Sequence, residues 1–114
     1  MPRRSHTTKL TLDFGERLRS LRKEAGMSLT QLANVTGISK GHLSTIELGF
    51  AAITIESVEK LAEGLDVSPM YLMAFPKKDR YAAIADLVRQ LPTTYMKKLE
   101  KQLNGWVGEM ERRN

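Results

Sequence analysis

The chain has 114 residues, a net charge of +5 and no cysteine, so a disulfide framework and a thiolate metal site are both excluded and a reducing cytoplasm is the natural compartment. No apolar run approaches the roughly 20 residues that span a bilayer, and the Met-Pro-Arg-Arg-Ser-His start lacks the apolar stretch of a signal peptide. The length supports one domain with a short appendage, and a pI near 9.7 suits a polyanionic partner.

Residues 1–11 are polar and basic at their start and are expected to form a flexible arm. Helix 1 is predicted from Asp13 to Ala25, with Phe14, Leu18, Leu21 and Arg22 on or beside its buried side and Gly26 as its stop. Ser28 then opens a short helix in a Ser-x-x-Gln capping box completed by Gln31. Leu29, Leu32, Ala33 and either Val35 or Thr36 supply its apolar face. Gly37 ends it, because a residue at positive φ is cheapest without a Cβ. Ile38 forms the pivot of the turn, and Ser39 caps a second short helix whose Leu43 and Ile46 fall on one side before Gly49 closes it. The outer face of that helix carries Lys40, Gly41, His42, Ser44, Thr45 and Leu48, with less charge than a merely solvated face would have. Two short helices pinned at a sharp turn are the geometry that places a helix in DNA.

The loop Phe50 to Ile53 is apolar and either joins the core or exposes a patch for a partner. Thr54 caps helix 4, in which Ile55, Val58, Leu61, Ala62 and Leu65 keep i, i+3, i+4 spacing, while Glu56, Glu59 and Glu63 mark its wet face. Ser68-Pro69 starts helix 5, where Tyr71, Leu72 and Phe75 close the core of a unit covering 12–76. Pro76 to Asp79 is the boundary to an extension, 77–114. There Tyr81 to Leu91 reads as a helix with Ile84, Leu87, Val88 and Leu91 apolar, broken before Pro92. Thr93 or Thr94 caps a last helix in which Met96, Leu99, Leu103, Trp106 and Met110 form an apolar seam. Pairing of that seam across a two-fold axis is expected. The alternative is that the helix folds back on its own bundle, since Gly105 and Gly108 suggest close packing or a bend.

Charge is spread unevenly. Residues 1–26 sum to +4, 27–53 to zero, 54–75 to −3 and 76–114 to +4, so helix 4 is expected to face away from a polyanion while the arm and helix 1 lie near it. Catalysis has no foothold: His6 and His42 are the only histidines, and there is no Gly-rich phosphate loop or spaced ligand cluster.

Several spaced elements then occur in order: Arg22 and Gly26, Leu32-Ala33, Gly37-Ile38-Ser39, Ile46-Glu47-x-Gly49, and Leu61-Ala62-x-x-Leu65-x-Val67-Ser68. Over residues 12–75 this set resembles the helix-turn-helix of the lambda repressor and Cro (XRE) family. The resemblance implies an all-α fold, a five-helix DNA-binding bundle here followed by two C-terminal helices. It implies base reading by Lys40, Gly41, Ser44 and Thr45, and phosphate contacts from Ser28, Thr30, Gln31, Ser39, His42, Arg17 and Lys23, with Arg19 a further neighbour. His42 either touches a phosphate or shields the turn. Leu29 stands where many members carry glutamine, and Ser28 and Thr30 are expected to replace that contact. Arg22 and Glu47 occupy the positions of a structural ion pair, and Arg3, Arg4 and Lys9 either enter a minor groove or only solubilise the chain. The implied partners are double-stranded DNA and a second copy of the chain, with no enzyme activity, cofactor, metal, membrane or small-molecule ligand. The expected function is a cytoplasmic, DNA-binding transcriptional repressor acting on a palindromic operator as a homodimer. The alternative is an antitoxin-type interaction protein that docks a toxin on its C-terminal helices and regulates its own operon.

Overall fold

The computed structural model describes residues 7–113, and these form helices joined by short turns, with no strand among the described residues. In chain order they are α1 (Lys9–Glu24), α2 (Leu29–Thr36), α3 (Lys40–Glu47), α4 (Ile55–Leu65), α5 (Pro69–Leu72), α6 (Arg80–Arg89) and α7 (Met96–Arg113). No helix among the described residues is long and apolar enough to cross a membrane.

Helix α1 starts earlier than its apolar pattern indicates. The Thr11 N–H donates to Thr8 Oγ1 at 3.1 Å and the Thr8 N–H donates to Thr11 Oγ1 at 2.8 Å, a reciprocal cap that a Ser/Thr-x-x-Glu/Gln search overlooks. Lys9, Leu10 and Thr11 are therefore helical rather than part of an arm, and Arg3, Arg4 and His6 lie outside the described residues.

The core gathers Phe14, Leu18 and Leu21 of α1, Leu32 of α2, Leu43 and Ile46 of α3, Leu61, Ala62 and Leu65 of α4, and Leu72 of α5. Met27, Ile38, Ile53, Tyr71 and Phe75 pack on its edge, which assigns the Phe50 loop a divided role: Ala51 is buried and Phe50 is exposed. Thr36, not Val35, completes the α2 face. Its hydroxyl donates to the Leu32 carbonyl at 2.7 Å and accepts from the Ile38 N–H at 3.2 Å, so a polar side chain is buried at no hydrogen-bond cost. Ile55 is not a core residue but 87% exposed, for it is the first residue of α4 and sits about 70° from the centre of the apolar stripe.

Two glycines set how closely the helices approach. A Cβ on Gly15 would lie 2.5 Å from the carbonyl oxygens of both Ile46 and Glu47, so α1 rests directly on the backbone of α3. A Cβ on Gly64 would lie 2.7 Å from the Thr36 methyl, so α4 packs closely against side chains of α2 rather than on its backbone.

The last two helices stand apart from this bundle, and the described residues extend over 60 × 30 × 22 Å. Asp79 caps α6 by accepting from the Tyr81 N–H at 2.9 Å, and α6 buries only Ala82, half-buries Val88 and leaves Ile84 and Leu87 exposed; it ends at Arg89, so Leu91, also exposed, lies beyond it. Neither Thr93 nor Thr94 caps the final helix. Thr93–Tyr95 form a 3-10 turn after Pro92 with no side-chain cap, and α7 continues from it. No side chain of α7 is buried; Met96 and Leu99 are half-buried while Leu103, Trp106, Val107 and Met110 are exposed. The helix does not fold back on the bundle, and the space around Gly105 is open.

Candidate nucleic-acid interface

The helix whose outer face is to be read is α3, and its anchoring begins with one ion pair. Arg22 Nε donates to Glu47 Oε2 at 2.7 Å and its second terminal nitrogen donates to Glu47 Oε1 at 3.0 Å, the bidentate fork that Arg and a carboxylate favour. The remaining terminal nitrogen donates to the Met27 carbonyl at 2.9 Å. One guanidinium thus ties α1, the turn before α2 and the end of α3 together. The two side chains are only 12% and 7% exposed, and the Glu47 hydrogen bond holds the Arg22 guanidinium above its ordinary range against the desolvation that opposes it.

With Leu43 and Ile46 buried beneath it, α3 turns Lys40, Gly41 and His42 to solvent and leaves Ser44 and Thr45 half-exposed. Ser39 caps the helix by accepting from the His42 N–H at 3.1 Å. The Thr45 hydroxyl donates to the Gly41 carbonyl at 3.0 Å, which leaves its lone pairs and its methyl group for another molecule. Gly41 has a helical backbone and no atom within 4 Å of where a Cβ would sit, so nothing in the fold asks for glycine there.

The start of α2 is a second surface of donors. The Ser28 hydroxyl accepts from the Gln31 N–H at 3.0 Å and Gln31 Oε1 accepts from the Ser28 N–H at 2.8 Å. The box uses the amide oxygen of Gln31 but leaves its NH₂ group, the Ser28 and Thr30 hydroxyl protons and the first-turn N–H groups of Leu29 and Thr30 at the positive end of the helix. Such a terminus suits an anion.

The helix 1 cations separate. Lys23 and Arg19 are exposed. Arg17 is not free beside them: its terminal nitrogen donates to the Tyr71 carbonyl at 3.0 Å, and its guanidinium carbon lies 4.3 Å from the centre of the Tyr71 ring. The expectation of a phosphate contact from Arg17 is corrected accordingly, because the guanidinium is committed to α5.

Residues 18–72 match the helix-turn-helix family HTH_3, and the chain is 34% identical over 91 residues to the HTH-type transcriptional regulator SinR of Bacillus subtilis (strain 168), covering 75% of this chain and 82% of that protein. The chain belongs to the XRE-type helix-turn-helix regulators. Among solved structures, the restriction-modification controller protein C.AhdI of Aeromonas hydrophila is 34% identical with a TM-score of 0.53, over 54% of this chain and 94% of that one. The controller protein C.Esp1396I, solved as a tetramer in complex with its natural 35 base-pair operator, is 28% identical with a TM-score of 0.54, over 57% of this chain and 86% of that one. Membership makes the protein a DNA-binding transcription regulator.

Two features of this XRE-type regulator escape motif reading. Gly15 looks like an isolated helix-interior glycine, and its only sequence signal is its place beside Phe14 on the buried side of α1. Tyr71 reads as core, yet its ring carries two guanidinium groups, from Arg17 and from Arg89 at 4.5 Å.

Proposed function

We propose that this regulator is a repressor that binds a palindromic operator as a homodimer and acts in the cytoplasm at the nucleoid. The observation that carries the reading is the outer face of α3, which is polar and at least half-exposed and contains a glycine that the fold does not require. Gly41 lets the helix backbone approach the major groove, Lys40 donates to guanine, Ser44 and Thr45 contact base edges, and the Thr45 methyl meets thymine. Ser28, Thr30, Gln31, Ser39, His42 and Lys23 hold phosphates around it. The unburied seam Met96, Leu99, Leu103, Trp106 and Met110 pairs with its copy and sets two α3 helices on successive major grooves, roughly 34 Å apart.

Selection of bound sites from random DNA, followed by titration, tests base reading. Thr45→Ala is expected to lose about 1–3 kcal/mol on the selected site and to relax choice at one base pair. An equal loss on random DNA removes Thr45 from the reading set. Affinity should fall steeply and linearly in log–log form with salt, because each neutralised phosphate releases counterions. Light scattering on the full chain should give a dimer that Trp106→Lys with Leu103→Lys makes monomeric. A second small protein that co-purifies on the α7 seam would turn the assignment toward an antitoxin.

A further inference from the structure

We propose that Tyr71 is a positioning residue: it clamps the α6–α7 arm to the DNA-binding bundle and so sets which half-site spacing the dimer accepts. The inference rests on the α7 dimer reading and deepens it. Its observations lie at the joint between α5 and α6.

Apolar packing does not hold that joint. Helix α6 fully buries a single side chain, Ala82, half-buries Val88 and leaves Ile84 and Leu87 exposed. Where a packed helix pair would interdigitate, a cavity of about 230 Å³ opens instead, with Arg17 of α1, Tyr71 and Phe75 and Asp86 of α6 on its walls. The ion pairs across the connecting turn, Lys77 with Glu16 at 3.8 Å and Lys78 with Asp13 at 3.9 Å, are long, and both lysines are at least half exposed. Pairs of that kind contribute little.

What remains is one ring and the polar groups around it. The Tyr71 hydroxyl donates to Asp86 Oδ1 at 3.0 Å. Arg89, also on α6, lies over the ring at 4.5 Å and meets Asp86 Oδ1 at 3.5 Å. From the bundle side, Arg17 lies over the same ring at 4.3 Å and donates to the Tyr71 carbonyl at 3.0 Å. The ring therefore receives a cation from each of the two bodies and a carboxylate from one. These contacts are directional, so they fix an angle as well as a distance.

The consequence follows from leverage. Helix α7 has 18 residues and so is about 27 Å long. A swing of about 10° at the joint moves its far end by about 5 Å, which exceeds the roughly 3.4 Å rise of one base pair. Two bundles joined through their α7 helices hold a defined separation only while the clamp holds the angle.

Arg89→Ala removes the α6 cation that lies over the Tyr71 ring, at a half-exposed site away from the DNA-facing surfaces, and Tyr71→Phe removes the Asp86 hydrogen bond while keeping the ring. Titration against operators whose half-sites are moved by up to two base pairs should show the parent losing roughly tenfold or more off its preferred spacing and each variant losing roughly threefold or less. The chain has no cysteine, so spin labels at Glu59→Cys on α4 and Lys101→Cys on α7, diluted with unlabelled protein, report the angle within one chain. The parent should give a narrow distance distribution that broadens in both variants. Distributions equally narrow in parent and variants, or broad in the parent, overturn the clamp. A parent that is monomeric or indifferent to spacing overturns the α7 dimer instead, and the label distances still decide the clamp.

Discussion

Gly41→Ala separates folding from DNA binding at one atom. The glycine is the second residue of α3, its backbone is helical, and apart from its chain neighbours and its own helix backbone no atom lies within 4 Å of where its Cβ would sit. Adding the methyl therefore costs no packing and removes backbone freedom from the unfolded chain, so stability should rise by up to about 1 kcal/mol. On DNA the same methyl stands between the helix and the groove floor. If α3 approaches as closely as the missing side chain permits, affinity for the preferred operator should fall by about 1–3 kcal/mol, roughly 5- to 150-fold. Urea unfolding and operator titration on the same preparation read both quantities. A less stable variant would refute the open space around Gly41. Unchanged or tighter operator binding in a stabilised variant would refute the close approach of α3, and base contact would then have to come from longer side chains such as Lys40.

Three further outcomes are expected. Arg22→Met, leaving the 7%-exposed Glu47 without its partner, should destabilise the fold by about 3–5 kcal/mol in denaturant unfolding, whereas Arg22→Met with Glu47→Leu should recover much of that loss; equal losses would mean that packing rather than the unpaired charge dominates. Gly15→Ala should cost at least about 1–3 kcal/mol because its Cβ meets backbone carbonyls that no rotamer change can move, and a neutral result would refute the direct seating of α1 on α3. Burial and the hydrogen bond to Asp86 raise the Tyr71 phenol above its ordinary range, so its contribution to stability is complete below the unfolded value of about 10 and is lost as pH rises through the folded one. Phenolate absorbance should show that late-titrating tyrosine and lose it in Tyr71→Phe; its persistence in the variant would assign it elsewhere.

Much of the DNA-binding unit is legible in the sequence because its signals are local. A cap such as Ser28 with Gln31, or a stop such as Gly37 at φ 76°, involves partners no more than a turn apart, and the backbone conformation follows from the residues themselves. The core members Leu18, Leu32, Leu43, Ile46 and Leu61 follow from the helical period for the same reason. The Arg22–Glu47 pair, 25 residues apart, is legible only through resemblance to a family.

Tertiary structure decided what depends on which surface lies opposite. Periodicity places Val35 and Thr36 equally well, and α4 approaches both through Gly64, but only Thr36 is buried there, its hydroxyl finding two partners close by in its own chain. Periodicity likewise nominates Ile84, Leu87, Val88 and Leu91 as one packed face, yet of these only Val88 is even half-buried, and α6 meets the bundle through Ala82, Asp86 and Arg89, because Tyr71 offers it a ring and a hydroxyl rather than an apolar groove. Arg17 illustrates the same limit from the other side: its charge is legible, but its direction is set by a tyrosine 54 residues away. A sequence states what each side chain can do; the neighbour it does it with is a property of the packing, where partners distant along the chain are brought within a few ångströms.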